Sequence, residues 1–460
     1  MTDSIPPYIK KPHTIKSYVH FDFRTSFAAK ANLVMDPGFV KSYAFYPLIQ
    51  RDLRRMKPDG HGKFFNDPRP IKYAAHLDRC IYQYYSGLLN ERYNDVATEI
   101  GIGDCAIAYR AHLKGQSNCD FALRAFSKMR DLEACFAYAG DFEDFFETLD
   151  HAYLKKQVRR LFPGGAIPDD YYHVLKNATR HSVWDIEKLL DHYGLPYTKS
   201  GVKRLNNRGR VLSSDEFKNM VGASVERPWR ENGEKGVPQG LPISGTLANI
   251  YMLEFDAAVK AVAERHDGLY MRYSDDFIFV VPTEKGFEEG RDEFSRLAGT
   301  MPSLKIHPRK THSFRMVDGG VYLLDSEDEP KCAIDYLGFS FDGTSVRLRQ
   351  RTIGRFYKRM YRRVGRLYKW KFRPAKKRVD SLYLEYSDWG RKPKRNAKVR
   401  ERVGKSGGRG NFLTYAERAQ NAFPNDPILV DVKNHKRKIR RRAKKVRESG
   451  RRHRSALRST

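Results

Sequence analysis

The stretch LYMRYSDDFIFVV, residues 269–281, constrains the fold more than any other segment of the chain. An apolar run of this length, broken at its centre by two acids, reads as two strands joined by a tight turn that carries Asp275 and Asp276. A solvated hairpin tip is the plain alternative for a pair of acids, and the apolar flanks argue against it. Adjacent carboxylates beside a buried sheet repel each other and lose hydration unless a cation offsets the cost. Oxygen-only ligation points to a hard divalent ion, Mg²⁺, with Mn²⁺ able to substitute.

A metal site for phosphoryl transfer needs a further carboxylate from elsewhere. ACFAYAG (134–140) reads as a strand running into DFEDFFETLDHAYLKKQV, which places Asp141 at a strand end, free to project beside a neighbouring hairpin. Asp141 with Asp275 and Asp276 would hold two ions about 3.5–4 Å apart, one to activate an attacking 3′-hydroxyl and one to stabilise leaving pyrophosphate. Glu143 and Asp144 are nearby rivals, read more simply as solvated acids in the first turn of a helix.

Charge divides the chain. Of 460 residues, 86 are Lys or Arg and 55 are Asp or Glu, a net of +31. Residues 341–460 hold 39 basic and 9 acidic residues, a net of +30, so the first 340 are close to neutral at +1. A field of that sign concentrates polyanions, and nucleic acid is the expected partner; a merely solvated basic tail is the plain alternative. Against the plain reading, aromatics interleave with the charge in QRTIGRFYKRMYRRVGRLYKWKF (350–372). At helical spacing Ile353, Phe356, Tyr357, Met360, Val364 and Leu367 share one face, leaving Arg355, Lys358, Arg359, Arg362 and Arg363 for phosphate. The run from 433 onward is too charged to fold alone and is expected to order on nucleic acid.

Composition excludes several classes. Apolar residues make up 40% of the chain, against wholesale disorder, and no stretch approaches the roughly 18 apolar residues of a membrane span. The opening MTDSIPPYIKKPHT has neither an apolar core nor an arginine-rich amphipathic pattern, so no targeting segment is expected. Five cysteines without a CxxC pair argue against a disulfide framework or zinc ribbon and suit a cytoplasmic protein. Helices are expected over 70–98, 116–131 and 291–301, with a Pro/Gly loop leading into a helix over 236–263 and short strands over 304–324 and 332–349. That order belongs to an α+β domain with helices on one face of an antiparallel sheet.

These segments together resemble the reverse transcriptases. The Tyr273–Asp276 turn resembles that family's Tyr-x-Asp-Asp motif, and DFEDFF (141–146) its Asp-x-x-x-Phe-Phe motif. GVPQGLPISGTLANIYM (236–252) resembles the Pro-Gln-Gly loop and the helix behind it. LKIHPRKTHSF (304–314) resembles the lysine-bearing motif, YLGF (336–339) the primer grip, and RPIK (69–72) the fingers motif. The resemblance spans about 270 residues, with six motifs in the family's order. It implies a right-hand polymerase fold: fingers over 1–130, a ferredoxin-like palm with an antiparallel sheet over 131–340, a basic helical thumb over 341–430 and a basic tail over 431–460.

The resemblance also implies roles. Asp141, Asp275, Asp276 and the Phe142 backbone would hold the metals. Arg69 and Lys72 would grip the dNTP's phosphates, and Phe146 would exclude a 2′-hydroxyl or else be a core ring. Gln239 and Gly240 would allow backbone to approach the nucleotide. Lys310 would protonate pyrophosphate or pair with phosphate, and Tyr336, Leu337 and Gly338 would touch nucleic acid. Finer texture in RPIKYAAHLDRCIYQYYSGLLNERYN (69–94), AYRAHLKGQSNCDFA (108–122) and YLGFSFDGTSVRLRQRTIGRFYKRM (336–360) resembles the bacterial "unknown group", which includes defence-associated enzymes. Gly245-Thr246 follows Ser244 where group II intron and retron enzymes usually carry proline, and Ser274 is a less usual residue in the turn. The expectation is an RNA-directed DNA polymerase that copies a noncoding RNA into DNA in antiphage defence, with assembly into a homo-oligomer open. The alternatives are a maturase-like RNA-binding protein, a retron-type enzyme, and protein-primed or template-independent synthesis.

Overall fold

The computed structural model describes residues 5–53, 56–58, 64–66, 68–110, 113, 115–369, 374–391, 397–402 and 410–456. The chain divides into two compact units. The first comprises Met1–Lys114, Gly140–Phe279 and Lys285–Thr311, and the second Gly115–Ala139, Val280–Glu284 and His312–Thr460. Helices and antiparallel strands mix in both, as expected of the α+β class. Among the described residues no helix is long and apolar enough to cross a membrane.

In the first unit a three-stranded sheet is ordered Arg69–Tyr73, Leu48–Leu53, Val183–Asp185, antiparallel then parallel. Its register sets Lys72 opposite Gln50 and Trp184 opposite Ile49. Behind it Phe21, Ile49, Trp184, Leu189, Leu205 and Val211 form one buried cluster. The expected helix over 70–98 starts later, as His76–Glu99, because residues 69–73 pair as a strand. The helix start is fixed from afar: the backbone N–H groups of His76 and Leu77 donate to the Asp22 carboxylate at 3.0 and 2.9 Å. A carboxylate there satisfies orphan amides and meets the positive end of the helix dipole. Inside the helix, Tyr82, Tyr85, Leu89, Tyr93 and Ala97 make the buried seam.

The residues after the Pro/Gly loop form Ser244–Tyr251, buried along its whole length, and Leu253–Arg265. The strands Leu269–Tyr273 and Asp276–Val281 follow, then Glu284–Thr300, which begins seven residues before the expected helix. Gly290 lies against Phe279 so closely that a Cβ would overlap the ring.

In the second unit an antiparallel run of strands is ordered Lys331–Cys332, Gly320–Leu323, His312–Val317 and then the residues up to Ala139 of strand Cys135–Asp141, with Cys135 opposite Met316 and Ala139 opposite His312. A second sheet contains Ile334–Tyr336, Phe339–Phe341 and Val346–Leu348. Helix Asn118–Leu132 opens with the capping box Ser117–Asp120 and packs Phe126 on Phe341 and Phe423. Arg130 pairs with the buried Asp426 at 2.7 Å. Helix Gln350–Lys369 buries Ile353, Phe356, Met360 and Val364 as expected, with Tyr368 more buried than Leu367. The terminal run departs from expectation. His435–Ala456 is a helix that packs on Gln350–Lys369 through His435, Ile439 and Ala443, a seam at four-residue spacing hidden among arginines and lysines. Lys438 and Arg447 lie over the rings of Tyr357 and Tyr368, so cation–π contacts join the two basic helices.

Candidate active site

Asp141 ends its strand where Gly140 lets two segments meet, since a Cβ at 140 would overlap Thr311. The amide of His307 donates to the Asp141 carbonyl at 2.9 Å, and that of Glu143 to the Lys305 carbonyl at 2.8 Å. This pairing carries Lys310 to the carboxylate, Nζ to Oδ2 at 2.6 Å. The other oxygen, Oδ1, is shielded from solvent and has no hydrogen-bond partner among the described residues. On its far side the Phe142 amide donates to the Asp275 carbonyl at 3.1 Å, so backbone ties the Asp141 strand end to the Asp275–Asp276 turn. The Phe142 ring is buried against Phe145, Phe255 and Phe277.

The turn itself is strained and braced. Ser274 has φ +62°, the left-handed region that non-glycine residues adopt only when the surroundings enforce it. The brace is Arg272, fully buried with Asp256. Its Nε and Nη2 donate to the two Asp256 oxygens at 2.8 and 2.6 Å, and its Nη1 to the Ser274 carbonyl at 2.8 Å. Tyr270 adds its hydroxyl to Asp256 at 2.9 Å. Burial works against the guanidinium charge, and Asp256 more than offsets it, holding the Arg272 pKa above its ordinary value. Neither Arg272 nor Asp256 was singled out from sequence, although an arginine inside the apolar strand LYMRY signals a buried partner.

The expected convergence of three carboxylates is only partly present. Asp141 and Asp275 are joined through backbone, but among the described residues no three His, Cys, Asp or Glu side chains stand together as a ligand set. Carboxylates repel one another, and the cation on Asp141 is Lys310. The donors still fit a hard divalent ion: all are oxygens, the buried Oδ1 of Asp141 is unpartnered, and the two Asp141–Glu143 backbone bonds do not use the Phe142 carbonyl.

The expected nucleotide residues form a second group. Arg69 donates through Nε and Nη2 to Gln239 Oε1, the former at 2.8 Å, and Gln239 Nε2 donates to Glu147 at 2.8 Å. The Lys72 amide donates to the Gln239 carbonyl at 3.2 Å. Gly240, at φ +122°, lies so near the Lys72 carbonyl that a Cβ would overlap it. Its missing side chain thus serves contact with strand Arg69–Tyr73, where the sequence suggested contact with nucleotide. Lys72 Nζ donates to His181 Nε2 at 3.3 Å, while His181 Nδ1 faces the Thr179 carbonyl at 3.2 Å. Burial, then the Lys72 charge, depress the His181 pKa to about 3, so the ring is neutral; burial also lowers Lys72. Lys72, Glu147, His181 and Gln239 wall a solvent-open cleft with Trp229, Asn232 and Lys235, and Arg69 reaches it through its bond to Gln239. Phe146 is half-buried, its ring 5.5 Å from that of Phe145. His181 and Glu147 are further residues the sequence did not reveal.

In the second unit Tyr336 is buried, and Leu337 and Gly338 form a turn at φ +47° and +93°. The Leu337 carbonyl accepts from Asn118 Nδ2 at 2.8 Å. Arg355, Lys358, Arg359 and Arg362 are exposed on their helix, whereas Arg363 pairs with Glu385 and donates to Ser381.

The family model described as "Reverse transcriptase (RNA-dependent DNA polymerase)" matches residues 217–341. That span holds Gln239, Gly240, Asp275, Asp276, Lys310 and Tyr336–Gly338; Arg69, Lys72, Asp141 and Phe146 lie outside it. Solved structures that match include apo telomerase from Candida tropicalis truncated from its C-terminal domain, with TM-score 0.40 and 12% identity over 74% of this chain and 64% of that one. Telomerase from Candida albicans in complex with a TWJ fragment of telomeric RNA matches with TM-score 0.38 and 12% identity, over 90% of this chain and 67% of that one. The chain thus spans about two thirds of the length of these structures. A comparison with curated proteins gave no match.

Proposed function

We propose that this chain is an RNA-directed DNA polymerase with a right-hand arrangement: fingers over 1–130, palm over 131–340, thumb over 341–430 and tail over 431–460. The observation that carries the reading is a reverse transcriptase domain over 217–341 whose Asp275–Asp276 turn is tied by backbone to Asp141, a residue outside the matched span. Arg69 and Lys72 bind the dNTP's phosphates, with Gln239 and Gly240 beneath them, and the Phe146 ring disfavours a 2′-hydroxyl. Asp141, Asp275, Asp276 and the Phe142 carbonyl would hold Mg²⁺. When bound, such a pair of ions lowers the pKa of a primer hydroxyl and offsets charge on departing pyrophosphate. In this reading the Lys310 ammonium, which pairs with Asp141 here, pairs with a phosphate or gives it a proton.

The template in this reading is a noncoding RNA, the product is complementary DNA, the setting is the cytoplasm, and the biological role is antiphage defence. A second reading, an RNA-binding protein of the maturase kind, is favoured by the net +30 of residues 341–460. Sequencing the nucleic acid bound to protein purified from cells carrying its own locus, before and during phage infection, tests both. Polymerase function predicts one RNA with a complementary DNA that the Asp275→Ala, Asp276→Ala double variant lacks. The same RNA on both proteins, without DNA in either state, supports the second reading.

A further inference from the structure

Outside the basic third lies a cationic surface of a different kind. Residues 199–212, KSGVKRLNNRGRVL, contain five Lys or Arg and no acid, within a stretch of 340 residues that is close to neutral. Some cations elsewhere in the same unit pair with carboxylates, among them Arg160 with Glu254, Arg180 with Glu234, Lys188 with Glu226 and Lys260 with Asp104. Lys199, Lys203, Arg204, Arg208 and Arg210 make no ion pair among the described residues.

The segment is nevertheless fastened down. Arg24 donates to the carbonyls of Tyr18, Asn206 and Arg208, the first at 3.1 Å and the last at 3.2 Å. The Val19 amide donates to Asn206 Oδ1 at 3.0 Å, and that of Val211 to the His20 carbonyl at 2.8 Å. A solvated charge run needs no such anchoring. Here a sixth cation, Arg24, holds the backbone of a cationic segment, so repulsion is built in, and an arriving polyanion relieves it. Aromatic rings sit among the charges. Phe23 is 66% exposed, the most exposed large apolar side chain among the described residues, with the Arg210 guanidinium 5.0 Å from its centroid. Arg208 lies 3.9 Å over the ring of Tyr193. Val202, Leu205 and Val211 share a buried cluster with Ile49, so the surface is built on the same core as the sheet that carries Arg69 and Lys72.

We infer that residues 199–212, with Phe23, Arg24 and Tyr193, form a docking surface for single-stranded RNA. Unpaired cations track the phosphates, while exposed ring and guanidinium faces take unstacked bases; a duplex keeps its bases inside and cannot use the rings. The choice of RNA rests on the proposed function, since template is the strand such an enzyme meets unpaired.

The test is fluorescence anisotropy of an unstructured 20-nucleotide RNA on the full chain, beside Phe23→Ala and an Arg204→Ala, Arg208→Ala, Arg210→Ala variant. Phe23→Ala removes an exposed ring and no charge, so it keeps the melting temperature; its Kd is expected to rise about fivefold with an unchanged salt slope. The triple variant is expected to weaken binding more than tenfold and lower the log–log salt slope by about 2. RNA carrying 4-thiouridine is expected to crosslink to the peptide containing Phe23 or Tyr193. An unchanged Kd for Phe23→Ala overturns the inference, whatever the triple variant does. So does equal competition by poly-glutamate, or a loss confined to DNA of the same sequence. Primer extension by the wild-type chain, run in parallel, reports separately on the polymerase reading.

Discussion

The carboxylate turn and the cleft beside Lys72 are held in opposite ways. At the turn, backbone hydrogen bonds and a fully buried Arg272–Asp256 pair fix a strained Ser274, and the cation on Asp141 rests on a carboxylate. In the cleft, side chains hold side chains. Arg69 rests on the Gln239 amide and Lys72 on a neutral imidazole, acceptors that orient a cation without cancelling its charge. The difference teaches which part must be rigid. Reacting atoms need placement to within a fraction of an ångström, whereas a site for a flexible polyphosphate needs available charge on side chains that can move.

The contrast can be broken most sharply at the turn. Asp275→Asn with Asp276→Asn is expected to lower nucleotide incorporation by at least about a thousandfold while leaving the melting temperature close to wild type, read by primer extension and calorimetry. Arg272→Met leaves Asp256 buried without its cation and is expected to cost about 3–5 kcal/mol in urea unfolding. Adding Asp256→Leu should return most of that stability. Activity should stay low in the double variant, because the bond to the Ser274 carbonyl is still missing. Recovery of both together would show that the pair serves the fold alone.

The cleft should respond more gently. His181→Leu is expected to raise the KM for dNTP about tenfold with kcat little changed, while His181→Gln, which keeps an acceptor for Lys72, stays near wild type. The smallest effect is one of pH. His181 has its ordinary pKa in the unfolded chain and about 3 in the folded one. The unfolded chain therefore takes up a proton that the native one refuses. This contribution to stability is complete above about pH 6.5 and is lost as pH falls, by about 1.4 kcal/mol per unit, down to about pH 3. His181→Gln should remove that slope, measured as urea midpoints between pH 7 and 5.

Legibility in the sequence followed the range of the interactions. The Asp275–Asp276 turn, the strand before Asp141 and the buried face of Gln350–Lys369 could be read because alternation and helical spacing are local signals. The start of His76–Glu99 could not, because its cap is Asp22, more than fifty residues away. Lys72–His181 and Arg272–Asp256 are likewise pairings across elements, invisible to any window on the chain. The terminal helix was hidden by its own composition: His435, Ile439 and Ala443 are a thin seam in a segment whose charge alone suggests disorder. Gly240 reads in sequence as an approach of backbone to nucleotide, whereas the neighbour that needs its missing side chain is the Lys72 carbonyl, a partner far off in the chain.

The most direct test of the central claim is extension of a labelled DNA primer on a defined RNA template with dNTPs and Mg²⁺, comparing the wild-type chain with Asp141→Ala. The account predicts template-complementary extension by wild type and essentially none by Asp141→Ala. Equal extension by the two would contradict the assignment of Asp141 to the catalytic set. Absence of extension by wild type across RNA templates, including the RNA that copurifies with it, would contradict the polymerase reading itself.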